Sequence, residues 1–196
     1  MPATGPAPPP AIPPVSSPPP ATPVSPLTAG QPLADLARLS NTSSTPGVFE
    51  ATLVAQRATK SMLSGTTTEF WSYNNDVPGP LIDVFEGDTV RIRLDNRLSQ
   101  ETTVHWHGLP VPPAQDGNPM DPIAPGASRT YEFTLPVGSA GTYWYHPHPH
   151  EMTAEQVFRG MAGLLIVRSR TDPIPTAIEE KLLVISDLRL AADGTI

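Results

Sequence analysis

Short segments in which apolar and polar residues alternate run through this chain from Val48 onward. Val90, Ile92 and Leu94 alternate with charged residues, and the stretch 130–135 alternates in the same way. Successive side chains of a β-strand point to opposite faces, so a period of two is typical of a strand with one buried face. The pattern therefore predicts half-buried antiparallel strands.

Further strands are predicted at 48–56, 69–73, 81–86, 103–107, 141–146 and 162–168, with turns at 78–80, 86–88 and 125–126. Short strands at this spacing favour an all-β fold, a β-sandwich or barrel with Greek-key connections. One short helix is also predicted, because Thr153 and Gln156 have the spacing of a capping box and Gly160 can end the helix.

The N-terminal segment has a different composition. Thirteen of the 27 prolines lie within residues 1–32, which carry no charge. Such a composition favours extended polyproline II conformations and offers nothing to bury. We therefore predict a disordered proline-rich tail over 1–45. Its prolines also interrupt any apolar stretch that could serve as a secretory signal.

The C-terminal segment contains a second boundary near 171–175, where two prolines interrupt the chain. The apolar run within 181–186 predicts a new strand, and Asp193-Gly194 is a hairpin turn signal with only two residues after it. A hairpin with one arm is not a stable terminus. We therefore expect 171–196 to be a linker and the first strand of a second domain that is cut short.

Composition limits the possible partners. The chain has 196 residues, a formal net charge of −7 and no cysteine. The acidic balance leaves no basic face for nucleic acid, and the longest apolar run, at 161–167, is too short to span a membrane. Without cysteine there can be no disulfide, no thiolate-ligated metal and no thiol nucleophile.

All five histidines fall between positions 105 and 150, as His105-Trp-His107 and His146-Pro-His148-Pro-His150. Residues two apart in a strand share a face, so each His-x-His pair would project two imidazoles together. Neutral imidazole suits zinc, copper, iron or nickel, and the lack of thiolate and of an interleaved carboxylate leaves copper and zinc. His150 is as plausible a surface residue as a ligand.

Four segments carry a family resemblance: TTVHWHGL at 102–109, Asp116-Gly117, GTYWYHPH at 141–148 and GMAGL at 160–164. Together they closely resemble the N-terminal cupredoxin domain of multicopper oxidases, most of all bacterial laccase-type, cuprous-oxidase and bilirubin-oxidase-like enzymes. The resemblance covers roughly 47–196. It implies a cupredoxin-like Greek-key β-sandwich at 46–170 and the start of a second cupredoxin domain at 171–196.

The resemblance also implies roles for individual residues. His105 matches a ligand of the type 2 copper, whereas His107, His146 and His148 match ligands of the type 3 copper pair. The family completes this cluster with histidines of a C-terminal cupredoxin domain, and a cysteine there holds the type 1 copper. This chain has no cysteine. By itself it therefore lacks a type 1 site and is expected to be inactive.

Asp116 matches an acidic residue that the family places near the copper cluster, where a carboxylate can deliver protons for the reduction of dioxygen. From the residues alone, Asp116-Gly117 also reads as an ordinary turn. Trp106 and Trp144 are expected to fill the core behind the histidines, and Met161 is expected in the core as well. Met120 and Met152 are too scattered to form a methionine-rich copper site.

The leading hypothesis is the N-terminal part of a multicopper oxidase, which would use dioxygen and a small reducing substrate such as a phenol or metal ion. Alternatives are a copper-binding module without turnover and a copper-free scaffold of the cell envelope, although the retained histidines speak against the scaffold. A copper nitrite reductase is disfavoured because its first domain would need a cysteine. The resemblance implies a periplasmic or extracellular location.

Overall fold

The alternating segments form eight β-strands in a computed structural model of the chain, which describes residues 30, 32–63, 65–175 and 177–196. The strands are β1 (Val48–Lys60), β2 (Thr68–Tyr73), β3 (Gly79–Phe85), β4 (Thr89–Asn96), β5 (His105–His107), β6 (Ser128–Thr134), β7 (Gly141–His146) and β8 (Gly163–Arg168). Each predicted strand up to residue 168 is present, with ends shifted by a few residues.

The strands form two four-stranded sheets, one in the order β2-β1-β4-β6 and the other in the order β3-β8-β7-β5. Most neighbours are antiparallel, as predicted, but β1 pairs with β4 and β3 pairs with β8 in parallel. Parallel neighbours arise because the chain leaves one sheet, contributes to the other and then returns. The predicted all-β, cupredoxin-like sandwich is confirmed.

The core lies between the two sheets and uses one face of each alternating strand. Val90, Ile92 and Leu94 of β4 are fully buried, and Tyr131 and Phe133 of β6 are buried beside them. The period-two pattern therefore placed the buried residues of these strands correctly. Met161 is also fully buried, which confirms its predicted place in the core.

The predicted helix, α1 (Thr153–Phe158), is present, but its capping box is not. The cap residue is Met152, without a side-chain cap, and the Thr153 hydroxyl donates instead to the carbonyl of Pro149. The Gln156 side chain turns away to bond Thr102 and the carbonyl of Glu101. A single 3₁₀ turn at Pro113–Gln115 was not predicted. In the part of the chain that the structure describes, no helix is long and apolar enough to cross a membrane.

The folded unit begins before the predicted boundary at residue 46. Leu39 donates its N–H to the carbonyl of Leu81, and the Leu81 N–H donates to the carbonyl of Ala37, so this segment adds to the edge of β3. The sequence missed this pairing because 37–42 lacks a clear alternation of apolar residues. Most of the predicted disordered tail, 1–29 and residue 31, lies outside the described residues.

The structure contains no strand over 181–186, where the sequence predicts one. A strand needs a neighbour for its backbone hydrogen bonds, and no described strand pairs with this segment. Residues 184–188 instead line an apolar groove of about 860 Å³, together with Trp144 and Phe158. The turn at Asp193-Gly194 does form, and the Thr68 hydroxyl donates to the carbonyl of Gly194 at 2.7 Å.

A substitution at Gly163, the first residue of β8, would test how closely β8 packs against Tyr145 of β7. A Cβ at this position would overlap the ring of Tyr145, whose hydroxyl is held by the carbonyl of Pro80 at 2.6 Å. We expect Gly163→Ala to lower the free energy of unfolding by about 1–3 kcal/mol, because the buried ring must move. Chemical denaturation of the chain measures this loss.

Gly141→Ala in β7 is the matched control. A Cβ there would meet the ring of Tyr143 at 3.3 Å without overlapping it. The loss of stability should therefore be smaller at Gly141 than at Gly163. Equal losses at the two glycines would contradict the close contact between Gly163 and Tyr145.

Candidate metal centre

The pairing of β5 with β7 brings the two His-x-His segments together. In this antiparallel pair His105 lies opposite His146 and His107 lies opposite Trp144. The intervening residue, Trp106, points into the core and is fully buried. Because alternate side chains share a face, His105, His107 and His146 project together from the opposite side of the sheet.

Three of the four predicted ligands form a tight group. Each of His105, His107 and His146 offers one ring nitrogen within 4.8 Å of those of the other two. Nδ1 of His107 lies 3.1 Å from Nε2 of His146. Three imidazoles at this separation form the kind of nitrogen-rich donor set that binds copper or zinc.

His148, the fourth predicted ligand, lies beside this group. Its ring centroid is 5.3 Å from that of His105 and 6.0 Å from that of His146. Its Nδ1 is buried and has no hydrogen-bond partner among the described residues. A buried polar atom without a partner is rare in a folded protein and indicates a group that a ligand can satisfy.

Backbone carbonyls determine which ring nitrogen of His105 and of His146 carries the proton. Nδ1 of His105 lies 3.1 Å from the carbonyl oxygen of Asp116, and Nδ1 of His146 lies 2.8 Å from that of Pro147. A carbonyl only accepts hydrogen bonds, so each Nδ1 must carry the proton and each Nε2 keeps its lone pair. Histidine ligands of metals commonly donate their second ring nitrogen in this way.

The environment of His146 also favours its neutral form. Burial lowers the pKa of His146 to about 4, and nearby histidines contribute to this lowering, whereas the hydrogen bond to Pro147 opposes it. A neutral imidazole can bind a metal ion without first losing a proton.

Asp116 lies at the edge of the histidine group. Its Oδ1 is 3.0 Å from Nδ1 of His105, and this oxygen is buried without an aligned hydrogen bond from any described residue. Gly117 holds the loop against β5 in the left-handed conformation, with φ of 62°. A Cβ at Gly117 would overlap the carbonyl of Val104, so only glycine allows this approach. The turn at Asp116-Gly117 therefore also places the Asp116 carboxylate beside His105.

The two tryptophans occupy different environments. Trp106 fills the core and donates its Nε1–H to the carbonyl of Gln115 at 2.9 Å, which confirms the prediction for this residue. Trp144 was predicted in the core as well, and that prediction is wrong. It is 37% exposed and stacks on the ring of His146 with centroids 4.1 Å apart. Trp144 lies opposite His107 in β7 and so shares the face of the histidines.

Of the other residues near the histidines in sequence, some are exposed and one contacts His148. The side chain of His150 is 70% exposed, and its nearest charged neighbour in the described part of the chain is Glu151, at 3.9 Å. Met120 is largely exposed. Sequence reasoning missed Thr103, whose hydroxyl accepts the backbone N–H of His148 at 2.8 Å. Only its position two residues before His105 could have drawn attention to it.

Comparison with known proteins shows which family this chain resembles. A family model described as multicopper oxidase matches residues 54–172. The multicopper oxidase mco of Staphylococcus aureus is 40% identical over 121 residues, covering 62% of this chain and 27% of that protein. The cell division protein FtsP of Salmonella typhimurium is 36% identical over 149 residues, covering 73% of this chain and 31% of that protein.

Solved structures agree with this assignment. A multicopper oxidase from Campylobacter jejuni, described as a metallo-oxidase, superposes with a TM-score of 0.80 and 47% identity, covering 84% of this chain and 35% of that one. The chain thus spans about a third or less of the length of these relatives. Because the family model matches more than half of its residues, this chain belongs to the multicopper oxidase family.

Proposed function

We propose that this chain provides the N-terminal copper half-site of an enzyme that couples one-electron oxidation of a small substrate to the reduction of dioxygen to water. The observation that carries this proposal is the pairing of β5 with β7, which places His105, His107 and His146 on one face. The family binds copper, and this face has the donor atoms that copper requires.

The residues fit a copper site on two independent grounds. The carbonyls of Asp116 and Pro147 hold the proton on Nδ1 of His105 and His146, so each Nε2 carries a lone pair, and Nδ1 of His148 is buried without a partner among the described residues. We assign His105 to the type 2 copper and His107, His146 and His148 to the type 3 pair, as the family resemblance implies. When bound, copper supplies the electrons that reduce dioxygen.

The protein's own groups hold the histidines and handle protons. Reduction of one dioxygen to two waters consumes four electrons and four protons, so a proton donor is needed beside the cluster. Asp116 meets this need in position, because its Oδ1 lies 3.0 Å from His105 and has no aligned partner among the described residues. We assign it the role of holding a proton, or a water molecule that carries one.

The remaining ligands must come from elsewhere. The chain has no cysteine, so it holds no cysteine-ligated type 1 copper. We place this site and the other half of the cluster in a C-terminal cupredoxin domain, with 171–196 as the linker to a second domain. The reducing substrate would donate its electrons there. A periplasmic or extracellular location belongs to the same proposal and rests on the family resemblance.

A second candidate is a copper-binding module without turnover. The observation in its favour is the exposure of His107, which would let the histidine face bind copper from solution. Family membership does not decide between the two functions, because one relative is named a cell division protein. Oxygen consumption separates them, since the second candidate binds copper without consuming oxygen.

The histidines provide the first test. In the complete enzyme, we expect His107→Ala or His148→Ala to reduce oxygen consumption by about a hundredfold or more, because each removes a ligand of the oxygen-reducing cluster. The blue colour of the type 1 copper should persist, since that site lies outside this domain. Oxygen electrode measurements and visible absorption spectra check the two expectations.

His150→Ala is the control for these variants, because its side chain is exposed and is not part of the group formed by His105, His107 and His146. Oxygen consumption should be unchanged. Loss of the fold in the His107 or His148 variant, seen by circular dichroism, would show that these histidines are structural. That result would contradict the proposed ligand roles.

Asp116 provides a separate test of proton delivery. We expect Asp116→Asn to slow oxygen reduction by about a hundredfold while copper content stays the same, because the amide keeps the shape of the carboxylate but cannot donate an acidic proton. Steady-state turnover and copper analysis measure the two quantities. Asp121→Asn is the control, since Asp121 is an exposed carboxylate bound to Arg129. Unchanged turnover in Asp116→Asn would contradict the proton-delivery role and would show that Asp116 is only part of a turn.

A further inference from the structure

The main chain around His148 lies just beyond the end of the β5–β7 ladder. The ladder pairs His105 with His146, and the same register continued by two residues would set Thr103 opposite His148. Pro147 and Pro149 flank His148 and have no N–H groups. The N–H of His148 is therefore the one backbone donor that the segment 147–149 can offer.

That donor is satisfied by a side chain. The N–H of His148 donates to the hydroxyl oxygen of Thr103 at 2.8 Å, and Thr103 is 0% exposed. The threonine hydroxyl thus takes over from the backbone ladder where the ladder ends. A buried N–H without a partner is unfavourable, so removing this hydroxyl would destabilise the present position of the segment 147–149.

We propose, resting on the copper half-site proposed above, that Thr103 is a positioning residue that holds the main chain of His148 so that its imidazole stays beside His105. The ring of His148 depends on this contact because Nδ1 makes no hydrogen bond to any described residue. The rings of His105 and His146 are fixed by carbonyls, whereas His148 is fixed through its own backbone.

The adjacent Thr102 is a matched comparison. It is equally buried, and its hydroxyl donates to Oε1 of Gln156 at 2.8 Å. This hydrogen bond joins the segment before β5 to α1 rather than to a histidine. Thr102→Val therefore removes a buried threonine hydroxyl and its hydrogen bond without removing a contact to His148.

The experiment compares Thr103→Val, Thr103→Ser and Thr102→Val with the unchanged complete enzyme. Amide hydrogen exchange at His148 is measured by NMR without metal, and the affinity for added Cu²⁺ is measured by competition with a chelator. We expect Thr103→Val to speed exchange at His148 and to weaken Cu²⁺ binding by roughly 10- to 100-fold, the usual effect of losing a residue that orients a ligand. Thr103→Ser keeps the hydroxyl and should restore both.

Thr102→Val should also reduce stability, because it removes a buried hydrogen bond, but it should leave Cu²⁺ affinity unchanged. Equal weakening of Cu²⁺ binding by both valine variants would overturn the positioning role, because general destabilisation would then explain it. Unchanged Cu²⁺ affinity in Thr103→Val would overturn it as well. If Thr103→Val does not fold, hydrogen exchange in the unchanged protein still tests the contact. Exchange of the His148 amide as fast as in an unstructured peptide would refute the hydrogen bond to Thr103.

Failure of the half-site itself has a different signature. If the complete enzyme does not bind Cu²⁺, or if its His148→Ala variant binds Cu²⁺ as tightly as the unchanged enzyme, the proposed function fails. Exchange at His148 is measured without metal, so it would still report whether Thr103 holds this segment. The two proposals can therefore fail separately.

Discussion

The pairing of β5 with β7 in a single register is the constraint on which the candidate site depends. The ladder has only three residue pairs, and a slip of one residue would turn the histidines toward the core. Burial of Trp106 and Tyr145 on the opposite face prevents this slip, since both are 0% exposed. The hydrophobic core therefore determines where the imidazoles of His105, His107 and His146 lie, although none of these rings belongs to it.

Around this ladder, short-range contacts orient two of the candidate ligands, His105 and His146. The loop that contains Asp116 can approach β5 because Gly117 has no side chain. The carbonyl of Asp116 then orients the ring of His105. Pro147 orients His146 through its carbonyl. These contacts use backbone groups whose positions are fixed by the fold, so the fold itself arranges the candidate donors. Such preorganisation lowers the cost of binding.

Local patterns carried most of what the sequence could predict. Alternation is a property of neighbouring residues, so it revealed the strands, the core residues and the shared face of His105 and His107. Pairings between distant segments were not visible in this way. The parallel neighbours of β1 and β3, the edge contact of Leu39 and the contact of Thr103 with His148 depend on register across sheets. Trp144 was misplaced although alternation within β7 sets it on the same face as His146, because tryptophan is on average a highly buried residue.

The parallel pairing of β3 with β8 has a consequence for the order of folding. Ile82 pairs with Leu165, and β7 in turn pairs with β8, so the sheet that carries the histidines closes only when the last strand is in place. Contacts between residues so far apart in sequence form slowly, because a long loop must close first. During synthesis, both His-x-His segments thus emerge before the sheet that aligns them. The complete sheet around the histidines therefore depends on β8, a strand that follows both segments in the chain.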